Sequence, residues 1–272
     1  FYNEDIFNAN NIEPPKTWDE LQVVCEKLKA AGIKPFQVGE KSNFRFGHLS
    51  NCILYNTYGV DAADKLADGS MKYDGKEMMD VYTKISDMNE KGYFGDDILS
   101  TDYALEKSTF TSGGSAMIWG LNSDVMGTLA ASDVGFKVGV TAMPYGSESF
   151  KSETQGGVNN VWHVSTMNKS QEEIDASVYW VKWMTSDQSL SDYTKVIPNI
   201  FGREFDLDTD DPLMEEVLDI YGTMTKMKSD VQSYDDRTYL LDTVRNALQG
   251  IALGNSPEQC ADEIITQIKS NE

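Results

Sequence analysis

Behind Pro14-Pro15-Lys16 the apolar residues Leu21, Val24, Cys25 and Leu28 recur at helical spacing and fall on one face. Thr17 stands at the head of that stretch and Glu20 follows three residues later. This is a capping box, in which each side chain accepts from the other residue's backbone N–H. Gly32 closes the helix, and Lys34-Pro35-Phe36-Gln37-Val38 reads as a short buried strand. A helix that feeds a strand through a glycine turn is half of an α/β unit.

The same grammar returns along the chain. Residues 77–90 carry Met78, Val81, Tyr82, Ile85 and Met88 on one face, and Gly92 stops them. Ser170 and Glu173 form a second capping box, ahead of Ile174, Val178, Val181 and Met184. Pro212 sits at a first helical turn with Met214, Val217, Leu218 and Tyr221 as its stripe. Residues 239–253 predict a helix ended by Gly254, and Ser256-Pro257 opens a last one with Ile264 and Ile268 facing inward. Strand candidates are 116–119, 135–143 and 161–165. Helices outnumber strands, and the strands scatter between them. The expected class is α/β, a small mixed sheet flanked by helices. Two polar stretches, 146–157 and 198–212, read as loops.

Composition narrows the partners. With 23 Lys and Arg against 44 Asp and Glu, the formal net charge is −21. Such a field repels nucleic acid, and the few cations form no stripe. No apolar run reaches the roughly eighteen residues that a membrane span needs. The opening Phe-Tyr-Asn-Glu-Asp lacks the positive charge and apolar stretch of an export signal. Cys25, Cys52 and Cys260 are far apart and form no CxxC pair, so neither a zinc knuckle nor a redox couple is indicated. Cys25 lies on the apolar side of its helix, as a buried inert thiol would.

The usual signatures of catalysis are missing: no GxSxG elbow, P-loop, GxGxxG or HExxH occurs. His48 and His163 are far apart and read as ordinary histidines. The acidic run 206–210 resembles a calcium loop, but Asp211 stands where such a loop needs Gly and Val217 where it needs Glu. Asp210 or Asp211 as a helix cap accounts for the cluster better, and no metal or organic cofactor is expected.

Aromatic residues are more informative. Phe44 and Phe46 sit in the polar run Lys41-Ser42-Asn43-Phe44-Arg45-Phe46-Gly47, just after a strand, where open α/β sheets place ligands. Aromatic faces beside Asn, Glu and Arg are the mixture a sugar requires. Trp119 and Trp162, in or next to strand candidates, suit either a ligand wall or the core. Trp18, Trp180 and Trp183 fall on helices and are expected to pack in the core or at caps.

The order of motifs resembles a known family. Tyr2-Asn3-Glu4-Asp5-Ile6-Phe7, followed by Pro14-Pro15-Lys16-Thr17-Trp18-Asp19-Glu20, resembles the YNKDLF…PPKTWDE signature of family 1 extracellular solute-binding proteins. Phe110-Thr111-Ser112-Gly113-Gly114-Ser115-Ala116-Met117, Gly156-Gly157, the helix at 176–186 and the helix at 245–254 are similar to further family segments. These are the sugar receptors of ABC importers, with the maltose-binding-protein-like fold of type II periplasmic binding proteins. The resemblance implies a non-enzymatic receptor whose two lobes close on a mono- or oligosaccharide, and a permease that reads the closed form. It implies an extracellular or cell-surface location, periplasmic or lipid-anchored through a segment outside this sequence. It also implies that the chain starts where relatives cross into the second lobe. Residues 1–197 plus 236–272 would then be the C-terminal lobe, and 198–235 would return to an N-terminal lobe largely missing here. The ligand contacts it implies are Glu40, Phe44 and Phe46 from the first loop, and Trp119 and Asn122 after Ala116-Met117. Asn159 and Trp162 after the Gly-Gly pair, and Arg245 on the late helix, complete the set. Two rival readings are a carbohydrate-active hydrolase and an interaction module that has reused the lobe.

Overall fold

The computed structural model describes residues 1–120, 122–157, 161–196, 201 and 211–271. Its helices are α1 (Glu4–Ala9), α2 (Trp18–Ala30), α3 (Arg45–Tyr58), α4 (Ala62–Ala67), α5 (Lys76–Glu90) and α6 (Tyr103–Thr111). They continue with α7 (Asn122–Ala130), α8 (Gln171–Met184), α9 (Asp187–Thr194), α10 (Pro212–Thr223), α11 (Leu240–Ala252) and α12 (Pro257–Asn271). Regular strands are short: β1 (Tyr2–Asn3) pairs antiparallel with β2 (Val138–Gly139), and β3 (Glu153–Gln155) pairs parallel with β4 (Lys226–Lys228).

Backbone hydrogen bonds extend the first pair into a wider layer. Phe36 and Val38 donate to Tyr93 and Phe94, Ala116 and Met117 donate to Lys34 and Pro35, and Asn3 donates to Ala116. The expected strands at 34–38 and 116–119 therefore exist as hydrogen-bonded extended backbone, short of regular strand geometry. Of 135–143, only Val138 and Gly139 belong to a regular strand. The expected strand at 161–165 is not formed.

The local signals act as the sequence indicates. Thr17 Oγ1 accepts from Glu20 N at 3.1 Å while the Glu20 carboxylate accepts from Thr17 N at 3.3 Å. Asp211 caps α10 by accepting from Leu213 N at 3.0 Å. The stripes of α2 and α5 are buried and join those of α3, α11 and α12 in one core beneath the extended layer. The three cysteines are buried and unpaired, and burial pushes the Cys25 thiol up to about 12.

Several expectations fail. The stretch 146–157 is more than an exposed loop. It contains β3, whose buried Glu153 accepts from Val60 N at 2.8 Å. Trp18 is buried, but Trp180 and Trp183 are 46% and 56% exposed. Although Ser170 and Glu173 form their capping box, no residue of α8 is buried. Helix packing contributes most of a helix's stability in a folded protein, and among the described residues α8 lies against α9 and the Trp162 ring.

In the segment 198–235, residues 198–200 and 202–210 lie outside the described residues. The rest is held by this chain. Met214 and Val217 of α10 cluster with Met126 of α7, β4 pairs with β3, and Val231 and Gln232 are buried next to α4.

Candidate functional site

Six side chains from four parts of the sequence converge at the N-terminal end of α3. Asn43 adopts a left-handed backbone (φ 53°) that turns the chain into α3, leaving Phe44 half-buried at its cap. The Phe44 ring meets the His48 ring edge-on, with centroids 5.2 Å apart. Asn51 lies on the same side of α3 as His48 by helical spacing. Its Nδ2 donates to Asp230 Oδ1 at 2.8 Å, and Gln155 Nε2 donates to the same oxygen at 3.1 Å. Arg245 Nη2 donates to Asp230 Oδ2 at 3.5 Å. His48 Nε2 lies 3.9 Å from Asp230 Oδ1.

Particular residues make this approach possible. A Cβ on Gly47 would stand 3.1 Å from Arg245 Cγ, so glycine leaves room for α11 to lay Arg245 across α3. From α11, Gln249 Nε2 donates to the Glu40 carbonyl at 2.7 Å, and Asn43 Nδ2 donates to Asn246 Oδ1 at 2.6 Å. Gln155 ends β3 opposite Lys228, and Asp230 follows β4 by two residues, so the β3–β4 pair delivers both to the same place.

The electrostatics are self-contained. Asp230 sits opposite Arg245. Burial pulls His48 down to about 4, outweighing Asp230, so the imidazole is neutral at physiological pH. Cys52, one turn from His48, donates its thiol to Gln155 Oε1 at 3.7 Å, and burial pushes it up to about 12. A thiol so held is not the thiolate a cysteine nucleophile requires. The face offers one aromatic ring and a fan of donors and acceptors, which suits reversible hydrogen bonding to hydroxyls.

A second layer lies directly beneath. Arg45 and Glu40 are 0% exposed. Arg45 Nε donates to both Glu106 oxygens, at 3.1 and 2.9 Å, and Nη2 donates to Oε1 at 2.6 Å. Nη2 also donates to the Trp119 carbonyl. The guanidinium lies 4.8 Å from the ring centres of both Tyr103 and Trp119. Glu40 Oε2 accepts from Phe46 N at 2.9 Å, while its Oε1 has no partner. Burial pushes the Glu40 carboxyl up to about 8.

The eight ligand contacts implied by the sequence separate accordingly. Phe44 and Arg245 come together on the half-exposed face. Phe46 is a correction: it is 0% exposed and packs 5.0 Å from the Phe94 ring, because the chain has entered α3 and turned it toward the core. Trp119, 6% exposed, packs edge-on against Phe36 and Phe94, and Glu40 is buried. Glu40 has no exposed surface to offer a ligand, and Trp119 lines an apolar cavity with Phe36, Leu49 and Met117. Asn122 is the first residue of α7, and Asn159 lies outside the described residues. Trp162 is 55% exposed, far along the chain in the α8 region, with its ring edge-on to Trp180 at 4.9 Å. The sequence reading missed His48, Asn51, Gln155 and Asp230. The one available hint was the polar interruption of α3's apolar run by His48 and Asn51.

Residues 1–203 match the bacterial extracellular solute-binding protein family, and the chain belongs to that family. It is 24% identical over 209 residues to the multiple sugar-binding protein of Streptococcus mutans, spanning 72% of this chain and 47% of that protein. It is 27% identical over 156 residues to the sn-glycerol-3-phosphate-binding periplasmic protein of Escherichia coli K12, spanning 55% of this chain and 34% of that one. The chain thus spans less than half the length of these curated relatives. Among solved structures, a chitin oligosaccharide binding protein superposes with a TM-score of 0.89 at 20% identity, covering 99% of this chain and 67% of that one. That likeness establishes the α/β fold of a solute-binding protein. Among the described residues, no helix is long and apolar enough to cross a membrane.

Proposed function

We propose that this chain supplies one wall of a sugar site in the extracellular receptor of an ABC importer. It would bind a mono- or oligosaccharide without chemistry and present it to a permease. The observation that carries the reading is the Phe44–Asp230–Arg245 face. A half-exposed aromatic ring stands beside a carboxylate and a guanidinium already matched in charge, with Gln155 completing the fan and the buried Asn51 holding Asp230 in place from within. A pyranose needs an apolar surface for its C–H face and mixed donors and acceptors for its hydroxyls.

The second wall would come from a further lobe. What supports it is the unpacked α8–α9 pair and the segment before it. Trp162, Met167, Tyr179, Trp180, Trp183 and Val196 are all exposed within 35 residues, a density that marks a surface built to be covered. This exposure supports a start of the excursion near 161–196, ahead of the 198–235 segment which the family resemblance implies. The chitin-oligosaccharide neighbour is half as long again, which leaves ample polypeptide to cover it.

Thermal-shift measurements against chito-, malto-, xylo- and raffinose-type oligosaccharides, with sn-glycerol-3-phosphate alongside, test the proposal in a polypeptide that includes both walls. A ligand at 100 times its Kd raises stability by about 2.7 kcal/mol, an easily read shift. A shift with a neutral sugar is expected. Turnover of a chromogenic glycoside, or no shift with any carbohydrate, would overturn the reading.

A further inference from the structure

We infer that the buried Arg45–Glu106 pair is a positioning device, which touches no ligand and sets the angle at which Phe44 is offered to one. The inference rests on the reading of the Phe44 face as a sugar site. Phe44 is held by rings and charge from below: its centroid is 5.5 Å from Tyr103, edge-on, and 5.9 Å from the Arg45 guanidinium. Arg45 is in turn stacked between Tyr103 and Trp119, and both of its donating nitrogens reach Glu106.

Glu106 projects from the buried side of α6 and also accepts from Gly39 N at 2.8 Å. One carboxylate thereby ties both ends of the segment 39–45. Between those ends Glu40 N donates to the Ile98 carbonyl at 3.0 Å and Lys41 N to the Thr101 carbonyl at 3.1 Å, while Asn43 and the Glu40 carbonyl are tied to α11. The carboxylate thus fixes the two ends of a loop whose middle is held separately. Gly39 approaches α6 so closely that a Cβ there would lie 2.6 Å from the Asp102 backbone.

A core built only for stability has no need of this arrangement, because well-packed apolar residues commonly match or exceed a buried ion pair. What the pair adds is geometry. A guanidinium is planar and rigid, binds a carboxylate through two parallel bonds and stacks on rings, none of which an ammonium reproduces.

The test uses the longer polypeptide and two variants, Arg45→Lys and the double substitution Arg45→Met with Glu106→Leu. Melting temperature, amide exchange and affinity for the neutral oligosaccharide panel are read together. The double variant is expected to melt within a few degrees of the parent. Its Gly39 and Phe46 amides should exchange at least tenfold faster while Val81 to Ile85 in α5 stay unchanged, and its affinity should fall at least tenfold. Arg45→Lys should not rescue either local readout. A folded double variant with slow exchange at Gly39 and Phe46, or full affinity restored by lysine, overturns the inference. Should the double variant fail to fold, Glu106→Gln decides by the same two amides, with parental protection overturning the inference. If the parent binds no carbohydrate, the functional reading fails, and the exchange data still decide whether the pair holds the loop.

Discussion

Replacing Glu40 by glutamine probes the layer beneath the ligand face most sharply. The Glu40 carboxyl is 0% exposed, one oxygen accepts from Phe46 N, and the other has no partner. Burial raises it from 4.5 to about 8, so the folded state holds a proton that the unfolded chain releases near 4.5. Between those values the folded state binds more protons, and the linkage slope makes stability fall as pH rises. Each unit of pH is worth about 1.4 kcal/mol while the difference is one full proton. From about pH 5.5 to 7.5 this gives about 2.7 kcal/mol, reduced to about 2.5 by partial ionisation near the upper end.

His48 titrates with the opposite sign: it is depressed to about 4 and stabilises the fold as pH rises toward 6.5. It is common to parent and variant, so the difference between the two proteins isolates Glu40. Urea unfolding of parent and Glu40→Gln at both pH values is the assay. The variant should gain about 2 to 3 kcal/mol relative to the parent on going to the higher pH. Parallel stabilities within about 0.5 kcal/mol would refute the reasoning and mean that Glu40 is ionised in the fold.

Other outcomes follow from the same geometry. Phe46→Ala should cost about 3 to 5 kcal/mol as a buried aromatic truncation, whereas Phe44→Ala should cost about 1 kcal/mol or less and act mainly on ligand affinity; urea denaturation separates the two. Exchanging Trp180 and Trp183 for glutamine should change stability by no more than about 0.5 kcal/mol and abolish binding of a hydrophobic dye to the 272-residue chain. Among the described residues no group of three His, Cys, Asp or Glu could hold a metal, and chelator should leave the melting temperature unchanged.

Elements with caps and one-sided periodicity were legible from the chain alone. Both capping boxes, the stripes of α2 and α5, and the glycine stops at Gly32, Gly92 and Gly254 behave as their residues imply. Helix α3 was illegible because it is buried on nearly all sides. Ser50, Asn51 and Asn56 lie inside with Leu49, Ile53 and Leu54, so burial along α3 does not follow the division of polar from apolar residues. Strand β3 has no local signal, since its partner lies some seventy residues away (Glu153 opposite Lys226).

The site divides in the same way. Phe44 announces itself as an aromatic in a polar run and Arg245 by family resemblance. Asp230 gains its meaning only when the fold brings it to Asn51, 179 residues earlier, and to Gln155, 75 residues earlier. The apolar stripe of α8 was legible as a helix face, but its exposure was not, because no local signal separates a covered stripe from an open one.

The central claim is that the Phe44–Asp230–Arg245 face binds sugar as one of two walls. Calorimetric titration of the two-walled polypeptide and of the 272-residue chain, with the oligosaccharide that gives the largest thermal shift, tests it directly. Micromolar binding, about −8 kcal/mol, is expected for the longer polypeptide. Asp230→Ala should lose at least a hundredfold, and the shorter chain, whose single wall leaves the ligand hydrated, should bind at millimolar concentration or not at all. Undiminished affinity in Asp230→Ala, or micromolar binding by the 272-residue chain alone, would contradict the claim.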